Sequence, residues 1–289
     1  MSNFLGEKKG DYPDLGKKVI VLKGTPRTWD ENKVHTLSIV VANRGYKYWS
    51  YYGLHYYDYK DVAKKGKAGI AWSNDLIHWV KYPGNPITEA NCRWPMVVLV
   101  DGVFHMFYTR YSPRGSSILK VISEDGFSFS QEQVVVPLEP GLQNQNPFIF
   151  FNPLDQCYYL FYYHGRERGP AKKIWNIYVR VAKDMANLTQ TEAIVLLSSP
   201  NTLAAPSVAY YNGRYYLTVE AFEQNKWVTR VFESLFLTRG FKEVRNSPIL
   251  LDNDACCFQY IFDGKLYIYY SHCYDQKKNF WDLRMRKET

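Results

Sequence analysis

The sequence has no apolar run approaching the roughly 20 residues that a membrane-spanning helix needs, which argues against a membrane partner. Its start, Met1 to Lys18, is polar and charged with no apolar h-region, so no secretory leader is read there. It also lacks C-x-x-C, H-E-x-x-H and G-x-S-x-G, the common signals for a dithiol redox motif, a zinc site and a nucleophile elbow. Cysteine is sparse: Cys92, Cys157, Cys256, Cys257 and Cys273, an odd count that includes an adjacent pair. Free thiols in a reducing cytoplasm are the expectation. Acid is the minority charge, with 28 Asp and Glu against 36 Lys and Arg, a net +8. The basic residues are scattered, with Lys64-Lys65 and Lys277-Lys278 as the densest points. That pattern reads as a solvated surface and not as a nucleic-acid stripe.

What the sequence does contain is aromatic residues and a repeat. Tyr alone contributes 25 of the 289 residues. An apolar strand, a tight turn and an aromatic strand recur from Val34, Pro95, Pro147, Pro206 and Cys257, spaced 61, 52, 59 and 51 residues apart. The turns Asp101-Gly102, Asn212-Gly213 and Asp263-Gly264 are dipeptides that favour two-residue hairpins. A second half follows, with a strand, an acidic turn and a further strand, as in Ala71–Thr88, Val121–Glu139, Val181–Ser198 and Val231–Asp252. Each unit therefore holds about four strands, the content of a propeller blade.

The fifth unit ends at Phe280–Glu288 one strand short, while Lys17–Gly24 at the other end is a spare strand. The expected fold is all-β: a five-bladed β-propeller whose ring is closed by an N-terminal strand completing the last blade, because an open ring would leave an unpaired edge. One domain spanning 1–289 is expected, with 1–15 as a flexible tail and a short helix or turn at Asp58 to Lys65. Most of the tyrosines then become packing between stacked sheets.

In such a ring the starts of the first strands and the ends of the second strands lie at one end of the channel. The residues near those points are Trp29, Asp30 and His35 in unit one, with Tyr52 and His55, then Arg93, Trp94 and Arg110 in unit two. Gln145, Asn146, His164 and Arg166 follow in unit three, Asn201, Thr202 and Glu220 in unit four, and Asp252, Asp254 and His272 in unit five. Acids for chemistry, Arg and His for hydroxyls and Trp for a ring face suit a sugar. Asp30, Glu220 and Asp254 are the candidate catalytic carboxyls. Trp29, His35, Arg93, Trp94, Arg110, Asn146, His164, Arg166 and His272 are the candidate substrate-binding set. Arg93 and Arg110 flank one hairpin and are expected to lie close together. Asp75 and Asp125, in the outer acidic turns, are read as structural.

Trp72-SNDLIHW-Val80 followed by Asn85-Pro86-Ile87 resembles the blade motif of five-bladed propeller glycoside hydrolases of family 43 and its relatives, families 32, 117 and 130. Ser123–Ser130 is a second version of the same turn. The resemblance covers about the whole chain. It implies hydrolysis of a glycosidic bond in a short oligosaccharide, arabinofuranosides and xylosides being the first substrates to try, with an Asp base in the first blade, an Asp that tunes the acid, and a Glu acid. Asp30 stands where the base is expected. The third blade carries Asn146 before Pro147 where an Asp is usual, and the fourth begins Ala205-Pro206 with no Glu before it. Glu220 or Asp254 would have to supply the acid. No cofactor is required by this reading, although some relatives hold a structural Ca²⁺ in the channel. The alternatives are a carbohydrate-binding propeller without catalysis, or a family 130-like phosphorylase using Arg93, Arg110 and Arg166.

Overall fold

The computed structural model describes residues 10–54, 66–88, 91–166 and 174–289, with the backbone only of Arg166. His55 and the expected helix or turn at Asp58 to Lys65 lie outside the described residues. Five four-stranded antiparallel sheets form the molecule. Strand β1 (Val19–Leu22) comes first. Blade 1 is β2 (His35–Arg44), β3 (Tyr46–Leu54), β4 (Lys67–Ser73) and β5 (Val80–Lys81). Blade 2 is β6 (Arg93–Val100), β7 (Val103–Ser112), β8 (Gly115–Ser123) and β9 (Ser130–Val136). Blade 3 is β10 (Gln143–Asn152), β11 (Cys157–Arg166), β12 (Ile174–Ala182) and β13 (Ile194–Ser199). Blade 4 is β14 (Ala204–Tyr211), β15 (Arg214–Glu223), β16 (Lys226–Ser234) and β17 (Lys242–Glu243). Blade 5 is β18 (Asp254–Phe262), β19 (Lys265–Asp275) and β20 (Phe280–Lys287), with β1 as its outer strand.

The ring closes as the strand count requires. Val19 pairs with Met285 and Ile20 with Arg284, so the N-terminal strand satisfies the edge that β20 would otherwise expose. The first strands β2, β6, β10, β14 and β18 each pack on the next around the axis, and β18 returns to β2. Aromatic side chains fill the gaps between blades. Trp49 stacks on Phe104 with ring centroids 5.7 Å apart, and Phe150 meets Tyr215 edge to face at 6.3 Å. The outer acidic turns are structural: Asp75 accepts from the backbone N–H groups of Ile77 and His78, and Asp125 from those of Phe127 and Ser128. All five cysteines are unpaired.

Residues 10–15 are not the flexible tail that their polar sequence implied. Tyr12 is buried beneath blades 4 and 5, where its hydroxyl donates to Gln259 Oε1 at 2.8 Å and its ring meets Tyr216 edge to face. Gln259 in turn donates to the carbonyls of Ser207 and Tyr216. The segment therefore staples blade 4 to blade 5. Tyr12→Phe leaves a buried acceptor without its donor and is expected to cost about 1–3 kcal/mol, read as a lowered urea midpoint at unchanged slope.

Candidate functional site

Each first strand enters the channel through the same distortion. The ladder slips between His35 and Leu37, Arg93 and Met96, Gln145 and Phe148, Ala204 and Ser207, and Ala255 and Phe258. Inside each slip one non-glycine residue has a positive φ: Thr36, Trp94, Asn146, Ala205 and Cys256, all between 45° and 53°. Such bulges re-aim side chains, and a backbone held in this region costs on the order of 1–3 kcal/mol per residue. Strain repeated five times at one level of the ring marks that level as the place where the fold presents side chains.

These five positions carry Thr, Trp, Asn, Ala and Cys, and none is a carboxylate. In blade 1 the position equivalent to Asn146 is Thr36, six residues after Asp30. The narrow space on the axis, about 40 Å³, is lined by these residues and by Leu37, Pro95, Met96, Phe148 and Phe258 among others. A calcium ion takes six to eight oxygen ligands, and the described axial lining offers side-chain oxygens only from Thr36 and Asn146. Among the described residues no three His, Cys, Asp or Glu side chains converge on a metal position.

The larger cavity, about 240 Å³, lies off the axis between blades 3 and 4. Its walls are Trp94, Tyr163, Trp175, Phe222 and Trp227, with Gln145, Asn146, Thr202 and Glu220 as the polar groups. Glu220 stands directly opposite Ala204 across the β14–β15 ladder. It is only 8% exposed. Its Oε2 accepts the backbone N–H of Cys256 at 3.0 Å and lies 3.2 Å from the Cys256 thiol. Burial pushes the Glu220 carboxyl above the ordinary range, and the two Cys256 donors offset that only in part.

Of the expected site residues, the cavity brings together Trp94, Asn146 and Glu220. Asp30 is placed elsewhere. It is buried, and its Oδ1 accepts from Thr25 N–H and the Thr28 hydroxyl, while Oδ2 accepts from Tyr52 OH at 3.0 Å and Lys81 Nζ at 2.6 Å. All its acceptor capacity goes to blade 1 and the loop before it. Trp29 stacks on Tyr52 in the same cluster. Arg110 does not join Arg93: it pairs with Glu132 and donates to Tyr108 OH on the outer face of blade 2. Arg93 pairs in register with Thr109 and lies over the Tyr111 ring at 4.9 Å. The phosphorylase alternative therefore loses Arg110 as a phosphate ligand.

Asp254 and His272 face each other across the start of blade 5, with Nδ1 2.7 Å from Oδ1, both buried. Burial raises the Cys257 thiol, and the Asp254 and Glu220 carboxylates both add to that rise. His35 is buried edge to face against Trp281, and burial followed by the Lys33 charge lowers its imidazole. His164 Nδ1 lies 2.6 Å from Asn144 Oδ1, away from the cavity lining. The side chain of Arg166 lies outside the described residues.

Sequence reasoning passed over Tyr163, Trp175, Phe222, Trp227, Lys33 and the role of Cys256. Trp175 and Trp227 are the second residues of third strands, whose starts lie at the same mouth as the ends of the second strands. That equivalence was available in the repeat. Lys33 had no such signal: burial lowers its amine to about 8, and it sits 5.4 Å from the Trp281 ring centroid.

No protein-family model matches the chain, and no curated protein does. Solved structures do. A thermostable family-43 glycoside hydrolase aligns at 14% identity over 91% of both chains with a TM-score of 0.67. The catalytic domain of a GH62 α-L-arabinofuranosidase from Coprinopsis cinerea aligns at 11% identity over 96% of this chain and 98% of its own, with a TM-score of 0.69. The chain has their fold. An N-acetylgalactosamine deacetylase from F. plautii, solved with blood group B trisaccharide, also aligns at 14% identity over 94% and 95%, with a TM-score of 0.70. At these identities the likeness carries the five-bladed architecture, and the chemistry has to be argued from the side chains.

Proposed function

We propose that the chain is a glycoside hydrolase in which Glu220 gives its proton to the leaving oxygen of a sugar held in the aromatic cavity. The observation that carries this reading is a buried carboxyl, pushed toward its neutral form, opening onto walls of Trp and Tyr. A general acid must be protonated at working pH, and burial is how a glutamic acid is held so. Aromatic faces suit the C–H face of a sugar ring, and Gln145, Asn146 and Thr202 supply donors and acceptors for its hydroxyls. Glu220 lies one cross-strand step from Ala204, the residue that begins the fourth blade without an acid, and so returns a carboxyl to that place. Asp254, oriented by His272, is the candidate second carboxyl. The similarity to structures named as a glycoside hydrolase and an arabinofuranosidase agrees with this chemistry.

The test is hydrolysis of a panel of aryl pyranosides and furanosides, begun with arabinofuranoside and xyloside. Product release is expected with at least one member. Trp175→Ala removes a wall of the cavity while Trp227 and Phe222 remain, and is expected to raise KM about tenfold or more, as the loss of a ring face implies. A KM unchanged by that substitution would place the sugar elsewhere.

One observation favours a second reading, a propeller that binds sugar without cleaving it. Glu220 is the one carboxylate among the described residues lining the cavity, and cleavage needs two. A sugar that binds, shows no product, and binds equally to Glu220→Gln would establish this second reading and end the first.

A further inference from the structure

Glu220 meets Cys256 twice, and both contacts fall on the same oxygen. The amide of Cys256 donates to Oε2 at 3.0 Å, and Sγ stands 3.2 Å from that oxygen, close for a thiol donor. Oε1 accepts no hydrogen bond from the described residues. The bulge explains the geometry. With φ at 48°, Cys256 turns its N–H out of its own ladder and toward blade 4, where Glu220 lies opposite Ala204. The Cys256 thiol is itself buried, and burial together with the nearby carboxylate pushes it well up. It remains S–H, which suits a donor and not a nucleophile.

A carboxyl oxygen that accepts from two donors is a poor place for the acidic proton. We propose that Cys256 is the positioning residue for Glu220: its amide and thiol together occupy Oε2 and so fix the acidic proton on Oε1, the oxygen left for a ligand in the cavity. This rests on the reading of Glu220 as proton donor. The choice of cysteine then has a physical reason. A serine hydroxyl in its place would donate strongly to the carboxylate and favour the ionised form. An alanine would leave Oε2 with the amide alone and let the carboxyl turn. A thiol orients Oε2 while donating weakly enough to leave the carboxyl neutral.

The experiment is a ¹³C NMR titration of the Glu220 side-chain carboxyl in glutamate-labelled protein, assigned by the signal lost in Glu220→Gln. Cys256→Ser is expected to lower the Glu220 titration midpoint by about one pH unit, and Cys256→Ala to raise it by about half a unit. Midpoints unmoved in both variants, or moved in the same direction, would overturn the assignment. Should the alanine variant not fold, the near-isosteric serine decides alone. The wild-type protein offers an independent check in its S–H stretch. Cys256 is expected to contribute a band displaced to low frequency by hydrogen bonding, identified by its loss in Cys256→Ser, and that band should return toward the free position in Glu220→Gln. No such band would equally overturn the proposal. Neither measurement reads turnover. Their failure therefore leaves Glu220 as proton donor intact, whereas failure of the glycoside panel with these shifts present would remove the reaction and keep the thiol–carboxyl pair.

Discussion

Replacing Glu220 by glutamine is expected to lower glycoside turnover by about 10²- to 10⁴-fold, the range that a positioned proton donor contributes, while the propeller stays folded. Glutamine keeps the volume and one acceptor for the Cys256 amide, so the loss is specific to the proton. The same residue fixes the sign of two pH effects. Burial raises the Glu220 carboxyl in the folded chain. Activity that needs the protonated acid is therefore retained at low pH and falls as pH rises through the raised value. Stability follows the same sense. Between the unfolded and folded midpoints the native state holds the proton and the unfolded state does not, so stability falls as pH rises through that window. Glu220→Gln has no such proton to lose. It is expected to gain stability relative to wild type on going from pH 4 to pH 8, measured as the difference between urea midpoints. Full turnover in this variant would sink the mechanism, and a midpoint difference that does not change with pH would contradict the burial of a titrating carboxyl.

The fold was legible because its signals are local. An apolar strand, a tight turn (Asp-Gly or Asn-Gly in three of the copies) and an aromatic strand can be read within about 20 residues, and five copies make a ring. Ring closure was legible by counting strands, since an edge without a partner needs one. The site was legible only as a level in the ring. Arg110 was misplaced because adjacent strand residues face opposite sides. Thr109 is the residue opposite Arg93, so Arg110 points with Tyr108 toward Glu132. Trp175 and Trp227 stand on third strands, outside the first two strands of each unit from which the candidate site residues are drawn. Tyr12 looked like part of a tail because the groove it fills is made by residues more than 200 positions away.

Asp30 lies away from the cavity, in contact with Lys81, and it makes the sharpest stability prediction. An acid in the turn Trp-Asp-Glu-Asn looks the same in sequence whether it faces a substrate or a lysine 51 residues on. In the folded chain the Asp30 carboxylate is 2% exposed and Lys81 is 20% exposed, with Nζ 2.6 Å from Oδ2. Lys81→Met would leave a buried carboxylate facing only neutral donors, which costs about 3–5 kcal/mol. Asp30→Asn would leave the ammonium against an amide and remove an acceptor from Thr28 or Tyr52, with a loss of about 2–4 kcal/mol. The double variant removes both charges together and is expected to fall well short of the sum, because each single change strands the other partner. Equilibrium urea unfolding of the four proteins measures that coupling. A catalytic base behaves in the opposite way: its asparagine variant keeps the wild-type midpoint and loses turnover. If Asp30→Asn unfolds at the same urea concentration as wild type and is inactive on a glycoside that wild type cleaves, then Asp30 is the base. The four hydrogen bonds it accepts in the folded chain would then belong to a resting arrangement that the substrate must break, a cost that would appear as weak ground-state binding. The ion pair with Lys81 argues against that outcome, since separating it in a buried site would consume several kcal/mol of binding energy before any chemistry began.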